Sequence, residues 1–295
     1  MNPRAESLVS KERVVRQVNL RKEKAAVTLL SFAALITAAV LVFVFVYIMA
    51  RGLAAIDLEF LLSSPVKMGR EGGIFPAIVG TLVLTAVSIL VAAPLGVGAA
   101  VFLTEYTREG WFSKVVRLGT ESLAGIPSII FGLFGFSFFV IYLGMGWSIL
   151  AGALTLACMI LPTIVRTSEE AIKSVPSIYR EISLALGASR WQTVTGVVLP
   201  QAAPGIATGI VLAIGRSIGE TAAVIFTAGS SLRVPHSLLD PVRTLPVHFY
   251  ILAREGISSQ NAYGTAAVLL VAVLLVDFVA HFVVGRLFRG RGGER

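Results

Sequence analysis

Charge is scarce in this sequence. Only 14% of its 295 residues are Asp, Glu, Lys or Arg, where soluble domains carry about 25%. The shortfall excludes an ordinary solvated surface, and long charge-free runs leave no room for a separate soluble domain. The lone cysteine, Cys158, rules out an intrachain disulfide. It sits inside an apolar run and reads as core packing. There is no G-x-x-x-x-G-K-[ST] loop, so ATP is not expected on this chain through that motif. No His/Cys/acid cluster has metal spacing, and His236, His248 and His281 are scattered. A G-x-S-x-G nucleophile setting is missing too, leaving a membrane-embedded enzyme little to work with. No cofactor is expected on the chain itself.

Apolar runs dominate instead: 56% of residues are hydrophobic and the mean hydropathy is +0.84. The formal charge of +8 alone would point to nucleic acid as a partner, but the basic residues fall between apolar runs rather than on one soluble face. The expected solvent is a lipid bilayer. After a polar tail (1–26), the run from Val27 to Ala50 exceeds a signal-peptide core and reaches the ~20 residues needed to span hydrocarbon. It reads as an uncleaved first span. A second runs from Ala77 to Leu103, with Pro94 expected to kink it. Between Glu121 and Arg166 lie 44 uncharged residues, enough for two crossings, Leu123–Leu143 and Ser148–Val165, turned at Gly144-Met145-Gly146-Trp147. Pro127 with Gly125, Gly132 and Gly135 is expected to make the first of these bend and pack closely, as a pathway wall or as plain packing. The fifth span is expected at Gly205–Phe226 and the sixth at Ala262–Val284. The fold class is thus an all-α integral membrane protein of six helices: a transmembrane domain over 27–288 and a short tail over 289–295.

Loop charge orients it. With the amino terminus inside, 18 of the 25 Lys and Arg residues are cytoplasmic and 6 are external; the last, Arg216, is inside a span. The positive-inside rule then puts both termini in the cytoplasm. The external loop Thr227–Asn261 reads either as a docking surface or as a solvated loop.

The cytoplasmic segment between spans four and five (about 166–204) is longer than a connection needs. Its core, SVPSIYREISLALGASRWQTVTGVVLPQ over Ser174–Gln201, is too polar to span. Ser177 is expected to cap a short helix with Glu181 in its first turn, and Gly187 to end it in the left-handed conformation. A second short helix is expected to start near Ser189 and stop before Pro200. Together they make a knob whose apolar residues need a partner; an amphipathic helix lying on lipid is the other reading.

This loop resembles the motif of ABC importer permeases: E-A-A, three residues, G, nine residues, I-x-L-P. Glu181, Gly187, Leu199 and Pro200 fall on that spacing, while Ile182 and Ser183 replace the two alanines and Val197 the isoleucine. Further stretches resemble the phosphate importer permeases, the PstA-type more than the PstC-type. They are GTLVLTAVSILVAAPLGVGAAVFLTEY (Gly80–Tyr106), IPSIIFGLFG (Ile126–Gly135), LPTIVRTSEEAIKSVP (Leu161–Pro176), LAIGRSIGETAAVIFTAG (Leu212–Gly229) and LPVHFY (Leu245–Tyr250). The resemblance implies a type I ABC importer permease fold in the bacterial cell membrane. It implies that the loop seats on a separate ATPase, and that phosphate crosses. The implied partners are a homologous PstC-type permease, a dimer of PstB-type ATPases holding ATP and Mg, and an external or periplasmic PstS-type phosphate-binding protein. Two other readings stay open: a permease of the same family for sulfate or molybdate, and an ion-coupled secondary transporter. The absence of an inverted repeat takes away the latter's usual support.

Charges within the spans are the remaining candidates. A charge near the bilayer centre costs roughly 2.5–3.5 kcal/mol, so Arg216 and Glu220 should not face lipid. On a helix, Gly205, Gly209, Ala213, Arg216, Glu220 and Ala223 share one face, and the i,i+4 spacing lets Arg216 pair with Glu220. Either Arg216 offers a fork-shaped donor to a passing oxyanion while Glu220 holds it, or the two form a permanent lock between helices or subunits. Arg166 is expected at the cytoplasmic end of span four, as an anchor or a substrate contact. Asp277 and His281, also i,i+4, read as a hydrogen-bonded structural pair rather than a proton relay.

Overall fold

The computed structural model of the chain describes residues 3–108 and 110–289. Two compact units emerge, 1–51 and 52–295. The first is one helix, α1 (Pro3–Gly52), so the polar tail and the first span form a single rod from Pro3 onward.

In the second unit, Asp57 caps the short α2 (Leu58–Leu62) by accepting a hydrogen bond from Phe60 N at 2.6 Å. A two-residue antiparallel ladder follows, β1 (Pro65–Val66) on β2 (Glu71–Gly72). The second span is α3 (Phe75–Val101), which runs through Pro94 without a break and closes in a π-helical turn, Phe102–Tyr106. Packed neighbours let membrane helices tolerate an internal proline.

The third span bends at Pro127 as expected, but its helix begins well before Leu123: α4 (Trp111–Ala124) is followed by α5 (Ser128–Gly135), extended by a π-helical segment to Tyr142, with a bend of 100° between them. Proline and the restriction on the residue before it break the helix at Gly125-Ile126-Pro127. The turn at Gly144–Trp147 is present as expected, with Gly144 at φ +67 and Gly146 at φ +64. The fourth span is α6 (Ile149–Lys173), two turns longer than its uncharged run. Its first amides are satisfied from the 227–261 loop, Ile149 N donating to Asp240 O (3.0 Å) and Leu150 N to Leu238 O (2.9 Å).

Next come α7 (Ser177–Ala185), α8 (Arg190–Thr193), a π-helical turn (Val194–Val198) and α9 (Leu199–Ile218). The helix beginning near Ser189 was expected to stop before Pro200. It continues as one 29-residue run to Ile218; the π-helical turn Val194–Val198 just before Pro200 and the packed neighbours let the run carry the proline. The fifth span does break further on: α9 ends at Ile218 and a separate α10 (Ala222–Thr227) follows. Then come α11 (Leu245–Arg254) and the last span, α12 (Ser259–Arg289). The expected tail beyond 288 lies outside the described residues from 290 on.

Among the described residues five helices are long and apolar enough to cross a bilayer, six where the bent α4–α5 pair counts as one span. The core gathers around α6, where Leu156, Met159, Ile160 and Ile164 are buried with Leu84 of α3, Phe131 of α5, Ala213 of α9 and Val224 of α10. This buried post carries the first candidate cations at one end.

Candidate functional site

The loop motif divides into an outer and an inner half. Glu181 and Gly187 are exposed, whereas Leu199 packs into a small core with Ala100, Ala171, Ile172, Val175, Val198 and Ala202. Pro200 is half-buried beside it. Two local details differ from expectation. Ser177 is the first residue of α7 rather than its cap, and Glu181 lies mid-helix, not in the first turn. Ser189 does cap its helix, exchanging hydrogen bonds with Gln192 in a capping box. No side chain of α7 is buried; Ile178, Ile182, Leu184 and Leu186 all stand in the open, Leu186 at 84%. So apolar an exposed surface needs a cover.

Sequence reasoning missed how α7 is held. Arg180, one residue before Glu181, donates from Nε and Nη2 to the Glu105 carboxylate (3.1 and 2.7 Å), from Nη1 to Val175 O (2.7 Å) and from Nη2 to Ile172 O (2.9 Å). The partners lie 75 and fewer residues away, and no local pattern announces them.

Arg166 does not end its helix. It lies on the wall of a cavity of about 270 Å³ between α4 and α6, together with Arg117, Lys173, Glu121, Glu169 and Glu170. Three cations face three carboxylates. Glu169 is buried and accepts from both Arg117 Nε (2.6 Å) and Lys173 Nζ (2.7 Å). Arg166 Nε reaches Glu170 at 3.2 Å, a pair exposed on both sides; such a pair is worth about 0.3–0.5 kcal/mol, so Arg166 exchanges partners easily. Removing the shared carboxylate is different. Glu169→Ala removes the buried carboxylate that both cations share and is expected to cost about 3 kcal/mol, read as a lowered unfolding midpoint in detergent.

The fifth-span stripe turns inward. A methyl group at Gly205 would lie 2.6 Å from Ala171 Cβ, one at Gly209 would overlap Thr167, and Ala213 is fully buried. These small residues seat α9 on α6 of the same chain, so this part of the face lines no pathway. Nor do Arg216 and Glu220 pair. The helix ends between them; Glu220 Oε1 instead accepts from Ala223 N (3.2 Å) at the start of α10, and among the described residues Arg216 has no ion-pair partner. Arg216 stays exposed, one residue from Ser217, whose hydroxyl shares a buried hydrogen bond with Ser88 (3.2 Å). In the last span His281 Nδ1 meets the Asp277 backbone carbonyl (2.9 Å) rather than its carboxylate.

The loop over 227–261 is no solvated strap either. Val242, Arg243, Leu245, Val247, His248 and Leu252 are buried. Arg243 Nε donates to Ser230 O (3.0 Å) and its Nη1 lies 3.4 Å from His248 Nδ1. Burial, and then the charge of Arg243, push the His248 imidazole from 6.5 down to about 4. A depressed imidazole contributes stability above its unfolded value and loses it as pH falls toward the folded one. Stability is therefore expected to drop by about 3 kcal/mol between neutrality and about pH 4. Unfolding midpoints across that range check this, and a His248→Phe variant should flatten the slope.

Comparison with known proteins agrees with this architecture. The profile described as "Binding-protein-dependent transport system inner membrane component" matches residues 92–291. The chain belongs to that family. The permease is 35% identical to the probable ABC transporter permease protein YqgI of Bacillus subtilis, over 90% of this chain and 96% of that one. It is 34% identical to the phosphate transport system permease protein PstA of Xylella fastidiosa (81% and 84% covered). With PstA 1 of Mycobacterium tuberculosis the identity is 37% (72% and 70%). Among solved structures it superposes on a bacterial ABC transporter involved in alginate import with a TM-score of 0.62 at 18% identity, covering 87% of this chain and 95% of that one. The inward-facing MetNI methionine transporter gives 0.59 at 21% (70% and 91%). The permease thus has the type I ABC importer permease fold and is a membrane-embedded transport component.

Proposed function

We propose that this chain is the PstA-type permease subunit of an ATP-driven phosphate importer, forming half of its translocation pathway. The observation that carries the ATP-driven part is α7: an exposed apolar helix, ended by a left-handed Gly187, with Glu181 and Gly187 on the importer spacing. Phosphate as cargo is supported by the relatives named PstA. The partners are a PstC-type permease, two PstB-type ATPases that hold the ATP and Mg, and a PstS-type binding protein outside. Both termini face the cytoplasm of a bacterial cell, as the 18-to-6 distribution of Lys and Arg favours. When the ATPases close on ATP, the groove that covers α7 moves it, and the spans rock as near-rigid bodies between inward- and outward-facing states. Arg216, with no ion pair among the described residues, and Arg166, weakly held by Glu170, are the cations a passing oxyanion meets.

Radiolabelled phosphate uptake in cells lacking other phosphate importers tests this. Uptake is expected to require the co-expressed ATPase and to resist excess sulfate and molybdate. Equal competition by either anion would assign another oxyanion. Uptake that collapses with an uncoupler yet ignores loss of the ATPase would make the protein a secondary transporter.

A further inference from the structure

Helix α7, which carries Glu181, buries no side chain, and one of the contacts that hold it joins three elements. Arg180 is the one charged side chain of α7 that turns inward. Glu105, its partner, sits in the π-helical turn ending the second span, and Ile172 and Val175 lie at the end of the fourth. The last carbonyls of a helix have no partner within it and attract a cation. One guanidinium thus ties α7 to the ends of spans two and four. The pair is shielded, with side chains 22% and 12% exposed. The Arg166–Glu170 and Lys67–Glu71 pairs, by contrast, are more than half exposed and bridge residues four apart. A second attachment, the hydroxyl contact of Ser183 with Thr193 (2.9 Å), leads to the start of the fifth span.

We propose that Arg180 and Glu105 form a positioning joint that delivers the movement of α7 to the second and fourth spans, and so couples nucleotide hydrolysis to transport. This rests on the reading of α7 as the ATPase contact. A connection that passes a push must fix direction as well as distance. A planar guanidinium bonded to a carboxylate and two carbonyls does both, whereas an ammonium holds its partner as a point charge. The flanks of α7 give less: an exposed Pro176 precedes it, and the exposed Gly187 bend follows. Without the joint, α7 can shift with the ATPases while the spans stay behind.

The experiment uses the complete transporter reconstituted in vesicles, reading phosphate moved per ATP hydrolysed. Glu105→Gln and Arg180→Lys are expected to assemble and to hydrolyse ATP. Transport per ATP should fall at least about fivefold, the low end of ordinary coupling between sites. The double variant should be no worse than Glu105→Gln alone, because residues of one network do not act additively. A normal ratio in Glu105→Gln overturns the joint. So do losses that multiply in the double variant, or a failure of both single variants to assemble, which would make the pair merely structural. Leu186→Asp separates the underlying reading: if the ATPase still co-purifies at the wild-type level, α7 is not the ATPase contact. If the ATPase needs Leu186 and Glu105→Gln keeps its ratio, only the joint fails.

Discussion

Replacing Gly187 with proline is expected to abolish ATP-driven uptake while leaving the spans inserted and folded. Gly187 sits at φ +87, and no atom lies within 4 Å of where its side chain would begin. The demand is therefore on the backbone and not on space. Alanine in this left-handed conformation costs about 1–2 kcal/mol, and Gly187→Ala should transport at a reduced rate. Proline fixes φ near −65° and removes the amide, which here donates to Leu184 O at 3.0 Å. The bend cannot form, so Leu186 and the start of α8 leave their positions. A conformational cost of about 3 kcal/mol corresponds to roughly a hundredfold fewer molecules with the knob correctly shaped. Uptake should fall by about that factor, and the ATPase should be lost on purification. Normal uptake by an assembled Gly187→Pro transporter would end the role given to this loop.

The positions of the spans were legible because a long apolar run between basic loops is stable only where hydrocarbon surrounds it. Their breaks were less so. Pro127 with Gly125 announced a bend in the third span, but not that the chain turns by 100° there. A hydropathy window reads straight through Gly219–Thr221, where α9 gives way to α10. Pro200 misled in the opposite sense, as a helix stop in sequence but a tolerated early residue in the structure. The functional residues divide along similar lines. Glu181 and Gly187 announce themselves by spacing and prove exposed. The small residues of the fifth span correctly signalled close helix approach, yet their partner is α6 of the same chain. Glu105 with Arg180, Arg117 with Glu169, and Arg243 with the Ser230 carbonyl depend on tertiary contacts. No periodicity within one helix encodes such pairs. The i,i+4 rule failed at Arg216 and Glu220 because it presumes an unbroken helix, and this one ends at Ile218.

That break is what makes Arg216→Gln informative. Had Arg216 been locked to Glu220, its loss would leave a buried carboxylate unpaired and destabilise the protein. Instead Arg216 is exposed in the last turn of α9, where its charge favours the helix end, and among the described residues it makes no ion pair. Neutralising it should leave the unfolding midpoint and the assembly of the transporter almost unchanged. A guanidinium within a span is disfavoured against lipid, so the surface that Arg216 faces is expected to be water or another polar chain. If that surface is the translocation pathway, a hydrogen bond to an anionic cargo loses its charge assistance, a difference of about 1.5–3 kcal/mol. Phosphate uptake should then fall roughly ten- to a hundredfold, with Arg216→Lys retaining part of it because the positive charge remains. A subunit lock predicts the reverse: uptake lost together with the partner permease, and no gradation between lysine and glutamine at equal assembly. Arg216→Gln with full uptake and normal assembly would remove Arg216 from the pathway altogether and leave the weakly paired Arg166 as the cation to examine next.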